Sequence, residues 1–146
     1  MADECNTVDV WVGRFPSSAS ADAYFHEQFD DEQRPVSAFA GDQGELFIDH
    51  DFMEHESRDS PSADLAGGLS RASFSSSYVR EVVAAFGTSP VSSFDTVVLV
   101  WGKQIKQPVS VNKESVDLHY LGRFACDPQA LPVAGLDLGT VEHDAD

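Results

Sequence analysis

The sequence of 146 residues lacks any long apolar run. A membrane-spanning helix needs about 18 or more consecutive apolar residues, and no stretch approaches that length. The first residues, MADECNTVD, also lack the basic segment and apolar core of a secretory signal peptide. These two absences predict a cytoplasmic protein with no membrane anchor.

Cysteines and basic residues are both scarce. Cys5 and Cys126 stand near opposite ends of the chain and form no CxxC pair, which argues against a zinc site or a disulfide framework. We expect free thiols, and whether the two approach one another stays open. Lys and Arg number 9 against 25 Asp and Glu, for a formal net charge of -16. This charge repels nucleic acid and anionic membranes and attracts basic proteins. We therefore expect neither nucleic acid nor a membrane as a partner.

The negative charge is concentrated in the first half of the chain. Residues 1–64 hold 16 acids and 3 bases, a net of -13, whereas residues 65–146 hold 9 acids and 6 bases, a net of -3. An acidic surface that only maintains solubility is one explanation. The clustering favours the other explanation, which is a surface for a basic partner.

The sequence also lacks GxGxxG, GxxxxGK[ST], GxSxG and HExxH, the motifs of common nucleotide-binding and catalytic sites. The nearest candidate is the segment Asp49–Glu56, DHDFMEHE. On a helix, His50 and Glu54 would share a face four residues apart, as metal ligands can, although the HxxEH spacing is missed by one residue. We expect no catalytic residue, no cofactor and no metal. A small metal-dependent hydrolase is the alternative, with ligands from Asp49, His50, Asp51, Glu54 and His55.

Hydrophobic patterns predict three strands. Residues 94–102, FDTVVLVWG, include five consecutive apolar residues, which indicates a strand buried on both faces inside a sheet. Thr7–Gly13 alternates Val8, Val10 and Val12 with other residues, which predicts a strand with one apolar face. Ser115–Phe124 alternates similarly and is predicted to be the hairpin partner of the buried strand. Trp11 and Trp101 are interpreted as core aromatics.

Two longer helices are predicted. The first would be capped by Ser17–Ser20, hold Asp22 in its first turn and end near Phe29. The second covers Ser75–Gly87, with serine caps and a left-handed Gly87 at its end. Its apolar stripe repeats every four residues, at Phe74, Tyr78, Val82 and Phe86.

Shorter segments fill the rest of the chain. Ser37–Gly41 is predicted to form one helical turn, and Glu45–Phe52 a short strand or helix that runs into the charged segment. Residues 57–69 are interpreted as a polar surface connection. The sequence therefore predicts an α+β fold, with a mainly antiparallel sheet and helices packed on it. We expect a single domain over residues 1–126 and an extended C-terminal tail over 127–146, with strand order and oligomeric state left open.

Several segments resemble the immunity protein 22 family of bacterial polymorphic-toxin systems. They are VWVGRF near the start, DHDFMEHE, SFSSSYV, VVLVW and LHYLGRF, within residues 8–124. Trp11–Gly13 matches the family's early strand motif, and Asp51 with Phe52 matches its acidic aromatic segment. The loop at residues 57–68 and the tail have no counterpart. The resemblance implies an immunity protein, not an enzyme, that neutralises a toxin domain secreted by sibling cells.

The charge distribution indicates where such a toxin would bind. Carboxylates can occupy a basic cleft in place of phosphates, so a basic toxin, for example a nuclease, suits this chain. An acidic interaction protein with no toxin partner is a second alternative. The candidate toxin-binding residues form two acidic clusters with one aromatic side chain: Asp30, Asp31, Glu32, Asp49, Asp51, Phe52, Glu54 and Glu56.

Overall fold

A computed structural model describes residues 6–29, 31–32, 35–113 and 115–134. Cys5, Asp30 and the tail from residue 135 onward lie outside the described residues. Within these ranges, the strands are β1 Thr7–Arg14, β2 Gln28–Phe29, β3 Pro35–Val36, β4 Met53–Ser62, β5 Phe94–Trp101, β6 Val111–Lys113 and β7 Val116–Ala125. The α-helices are α1 Ser18–Phe25, α2 Ala38–Asp42, α3 Leu65–Gly68 and α4 Val79–Gly87, with 3-10 turns at His50–Phe52 and Ser75–Ser77.

The main sheet has five strands in the order β4-β5-β1-β7-β6. Every neighbouring pair in it is antiparallel. The α+β prediction is confirmed, and β5 is an interior strand in which all eight residues are buried. The predicted pairing of β7 with β5 was wrong, because β1 lies between them and β7 pairs with β1 and β6.

Helices cover both faces of the sheet. On one face, α1 and α2 contribute Tyr24, Phe25 and Phe39 to a core that includes Trp11. On the other face, the region of α3 and α4 packs against the valines of β1. The prediction of one apolar face for β1 was therefore wrong: Trp11 and Asp9 are as fully buried as the valines. A strand at the middle of a sheet with helices on both sides has no face left for water.

Helix α1 begins where the serines predicted it but ends earlier. Ser17 Oγ accepts a hydrogen bond from the Ser20 backbone N–H, and Ser20 Oγ accepts one from the Ser17 backbone N–H, which completes a capping box. The helix ends at Phe25 and not near Phe29, because residues 28–29 pair with β3. Phe29 is 65% exposed, and Asp22 lies beyond the first turn. The predicted helix end near Phe29 and the predicted place of Asp22 in the first turn were therefore both wrong.

Helix α2 is a short helix capped by Ser37. The Ala40 backbone N–H donates to Ser37 Oγ at 3.1 Å, and the helix covers Ala38–Asp42. The helix buries Phe39 and Ala40. The predicted turn at Ser37–Gly41 is confirmed, one residue further along the chain.

Helix α4 has the predicted stripe but not the predicted ends. Its C-cap is Thr88, in the right-handed helical region, and Gly87 is an ordinary helical residue. The N-cap is Tyr78, with no side-chain cap bond. The serines instead form a 3-10 turn whose hydroxyls bind the chain after β7. Three residues of the stripe are buried: Tyr78, Val82 and Phe86.

The described part of the C-terminal tail lies against the start of the α4 region. Ser77 Oγ accepts from the Asp127 backbone N–H, and Ser75 Oγ accepts from that of Val133, both at 3.0 Å. The Ala134 backbone N–H donates to the Ser70 carbonyl at 2.7 Å. The serine-rich segment therefore fixes residues 127–134.

Candidate functional site

The acidic segment is the start of an edge strand. Residues 50–52 form a 3-10 turn, and β4 begins at Met53 at one edge of the described sheet, where it pairs with β5. The predicted surface connection at residues 57–69 was wrong in two ways: β4 continues to Ser62, and α3 then buries Leu65. The alternating register places Glu54 and Glu56 on one face of β4, with Met53, His55 and Ser57 on the other.

The helical arrangement behind the metal-site alternative does not occur. The helical turn ends at Phe52, so His50 lies in that turn while Glu54 lies in an extended strand. Among the residues that the structure describes, no group of three or more His, Cys, Asp or Glu side chains could hold a metal ion. The described segment thus offers no ligand set for the hydrolase alternative.

One face of β4 contacts α1. The His55 ring stacks on Phe25, with centroids 4.6 Å apart, and His55 Nε2 lies 3.2 Å from Asp22 Oδ1. Ser57 Oγ hydrogen-bonds Thr96 Oγ1 on β5 at 3.1 Å. These contacts attach α1 and β5 to the strand and leave the other face for Glu54 and Glu56.

The carboxylates of Glu54 and Glu56 border a half-open pocket of about 310 Å³, which we call the edge pocket. Both oxygens of Glu54 are held by Ser73, one by the backbone N–H at 3.2 Å and the other by the hydroxyl at 2.5 Å. The Glu56 side chain is exposed and makes no hydrogen bond or ion pair with the described residues. The other residues that line the pocket are His55, Gly68, Leu69, Arg71, Ala72, Val97 and Leu99.

A buried tyrosine supports the residue that holds Glu54. The Tyr78 hydroxyl donates to the Ser73 carbonyl at 2.7 Å. Burial raises the pKa of Tyr78 well above its usual range, and the nearby Cys126 and Glu54 raise it further. The phenol therefore stays protonated at neutral pH and remains a donor. No local sequence pattern predicted this arrangement, because Ser73 belongs to no recognised motif.

Asp49 and Asp51 occupy the turn before β4. Asp49 Oδ1 accepts from the Asp51 backbone N–H at 3.0 Å, which caps the 3-10 turn. Gln104 holds the Asp49 backbone through both its amide atoms, at 2.6 and 3.2 Å. The Asp51 side chain is exposed, and Phe52 is half-buried against the core on the α4 side. Asp49 is thus partly committed to local structure, whereas Asp51 faces solvent.

The other acidic cluster lies on a different element. Asp31 and Glu32 are exposed in the turn between β2 and β3, and neither lines the edge pocket. Asp30 lies outside the described residues. The sequence-predicted site therefore comprises two acidic regions, one at the β2–β3 turn and one along the start of β4.

Two apolar side chains beside the acidic segment, Leu46 and Phe47, are exposed, and the sequence did not predict this exposure. The triplet 46–48 is irregular and not the predicted strand or helix: Ile48 is buried at 2% exposure, while Leu46 is 81% exposed and Phe47 48%. Apolar residues that protrude beside carboxylates are typical of protein-binding surfaces. The adjacency of LFI and DHD in the sequence was the available signal.

Comparison with known proteins adds a family match. A protein-family model described as Immunity protein 22 matches residues 8–127, which run from β1 through the end of β7. No curated protein and no solved structure gives a significant match. Among the described residues, no helix has the length and apolar character to cross a membrane.

Proposed function

We propose a function on the premise that the chain belongs to the immunity protein 22 family: it binds a protein toxin and neutralises it. The family match covers more than half of the chain and all five strands of the main sheet. Immunity proteins act through a toxin partner, and the proposal needs no catalytic residue in this chain. It identifies that partner as a toxin domain of a bacterial polymorphic-toxin system.

The observation that carries the proposal is the exposed acidic strand edge. Glu54, Glu56 and Asp51 lie on or beside β4, where they are open to a partner, and the first half of the chain holds most of the net charge. We define the acidic surface as Asp30, Asp31, Glu32, Asp49, Asp51, Phe52, Glu54 and Glu56. Such a surface complements a basic cleft, which supports a nuclease or another toxin with a phosphate-rich substrate. A nuclease acts where nucleic acid is, so the complex would form in the cytoplasm.

The two acidic regions would contribute differently to binding. Asp31 and Glu32 are exposed in a turn, and exposed rim charges mainly steer the encounter and set the association rate. Glu54 is fixed by Ser73, so a toxin cation that meets it would form a charge pair shielded from water. Such buried pairs govern dissociation. Phe52, half-buried in the turn before β4, would add an aromatic contact beside Asp51.

This difference predicts two kinetic results with the toxin domain encoded beside the gene for this chain. Amide substitutions at Asp30, Asp31 and Glu32 should slow association about tenfold at low salt and flatten its salt dependence. Glu54→Gln should instead mainly speed dissociation, at a cost of about 2 to 5 kcal/mol. Biolayer interferometry over a range of salt concentrations separates the two rate constants.

The matched control is Asp117→Asn. Asp117 is an exposed carboxylate on β7, which is separated from β4 by β5 and β1. The same charge change there should leave both rate constants within about twofold. Equal effects from Asp117→Asn and from Glu54→Gln would favour the alternative in which the acidity serves solubility alone.

A further inference from the structure

We propose that the edge pocket receives the side chain of one arginine or lysine from the toxin domain. The methylene groups would lie on the apolar floor, and the cation would lie between Glu54 and Glu56. This inference rests on the proposed function and specifies how the partner is recognised. Within the acidic surface, the edge pocket is then the place where a single toxin residue binds.

The floor of the pocket suits a long aliphatic stem. Val97 and Leu99 of β5 and Leu69 after α3 line it, and all three are at most 4% exposed. Arginine and lysine bury their methylenes on apolar surface while the charged head stays near solvent or a counter-ion. A half-open pocket with a polar rim allows this arrangement. A purely apolar side chain would leave the two rim carboxylates facing a group that cannot pair with them.

The two carboxylates are placed to share one cation. Residues two apart on a strand lie on the same face at a separation of about 7 Å, a distance that a guanidinium or ammonium group can bridge. Glu54 is held in position by Ser73, which the Tyr78 hydroxyl holds in turn. This preorganisation removes part of the entropic cost of binding. Glu56 has no partner among the described residues, so it can turn towards an incoming cation.

Arg71 provides a test of whether the side chain that enters the pocket is positively or negatively charged. It is exposed on the rim of the same pocket and makes no hydrogen bond or ion pair with the described residues. A toxin cation would be repelled by Arg71, whereas a toxin carboxylate would be attracted by it. Removing the Arg71 charge should therefore strengthen the binding of a cationic side chain and weaken that of an anionic one.

The test measures the dissociation constant of the toxin domain encoded beside the gene, using four single variants of the full chain. Glu56→Gln should weaken binding about tenfold, and Arg71→Gln should tighten it about threefold or more. Ala72→Leu, which fills the pocket without changing charge, should weaken binding about thirtyfold or more. Asp117→Asn, on the distant strand β7, should leave binding within about twofold.

The outcomes distinguish the two proposals. If the wild-type chain does not bind the toxin domain, both the proposed function and this inference are contradicted. If the wild-type chain binds and Arg71→Gln weakens binding, or if Ala72→Leu leaves it unchanged, the inference alone is overturned. Thermal melting verifies that each variant is folded. Should Ala72→Leu unfold, Glu56→Gln and Arg71→Gln still decide, because both residues are exposed.

Discussion

Replacing Arg123 with alanine is expected to lower the free energy of unfolding by about 3 to 5 kcal/mol. Asp9, in the middle of β1, is 0% exposed, and its carboxylate accepts from Arg123 Nε and Nη2, each at 3.0 Å. The Tyr120 hydroxyl donates the third hydrogen bond. Without Arg123, a buried carboxylate would keep one neutral donor and no counter-charge. Urea denaturation followed by far-UV circular dichroism measures the loss.

The same arginine also holds a loop. Its Nη2 donates to the Ile105 carbonyl at 2.8 Å, so the substitution also removes a tether between β7 and the segment after β5. Hydrogen bonding to Asp9 raises the pKa of Arg123 above its ordinary value, which keeps the guanidinium charged. Burial and the bond to Asp9 likewise raise the pKa of Tyr120 beyond its usual range, so the phenol remains a donor at neutral pH.

Two further variants make the Arg123 prediction specific. Arg80→Ala removes an exposed arginine on α4 and should change stability by less than about 0.5 kcal/mol. The double substitution Asp9→Leu with Arg123→Met replaces the ion pair with apolar side chains and should recover much of the loss. A loss below about 1 kcal/mol in Arg123→Ala would show that Asp9 is not a buried, paired carboxylate.

Trp101→Ala is expected to have a comparable effect, about 3 to 5 kcal/mol, because it leaves a cavity at the end of β5. The indole is 2% exposed and meets the Phe74 ring edge-on, at 5.9 Å between centroids. Its Nε1 is buried and has no hydrogen-bond partner among the described residues. Guanidinium denaturation of the single variant gives the change directly.

The unpaired indole nitrogen supplies a control for Trp101. Trp101→Phe keeps an aromatic ring in place and removes a buried donor that has no acceptor, so it should cost well under half of the alanine value. If Trp101→Ala cost less than about 1 kcal/mol, Trp101 would be exposed and β5 would not be an interior strand.

The sequence predicted the elements whose signals are local. Five consecutive apolar residues identified β5 as an interior strand, and a serine followed by a short apolar turn located α2. The fourfold spacing in the α4 region predicted its buried stripe. Trp11 and Trp101 were also placed in the core correctly. Each of these signals reports burial of a segment's own side chains, which hydrophobic periodicity describes.

What the sequence could not show depends on distant partners. Residues 57–62, SRDSPS, have no apolar alternation; Ser57 and Ser62 pair with β5 on either side of an irregularity, and Asp59 accepts a hydrogen bond from Ser18 of α1. The burial of Asp9 was not predicted, because its partner Arg123 lies 114 residues away in the chain. The edge pocket likewise joins β4 to Ser73 and Arg71, from a stretch with no local sign of a site. Tertiary contacts decided these features, and local pattern did not.

The central claim is that the acidic surface binds and neutralises a toxin. The most direct test is calorimetry with the cognate toxin domain, to be identified from the neighbouring genes, together with an assay of the toxin's own activity. It compares the wild-type chain with a folded variant in which seven acids are changed to amides: Asp30, Asp31, Glu32, Asp49, Asp51, Glu54 and Glu56. We expect the wild type to form a tight one-to-one complex and silence the toxin, and the variant to bind at least about 1000-fold more weakly and to give no protection. A folded variant that binds and neutralises the toxin as well as the wild type would contradict the claim.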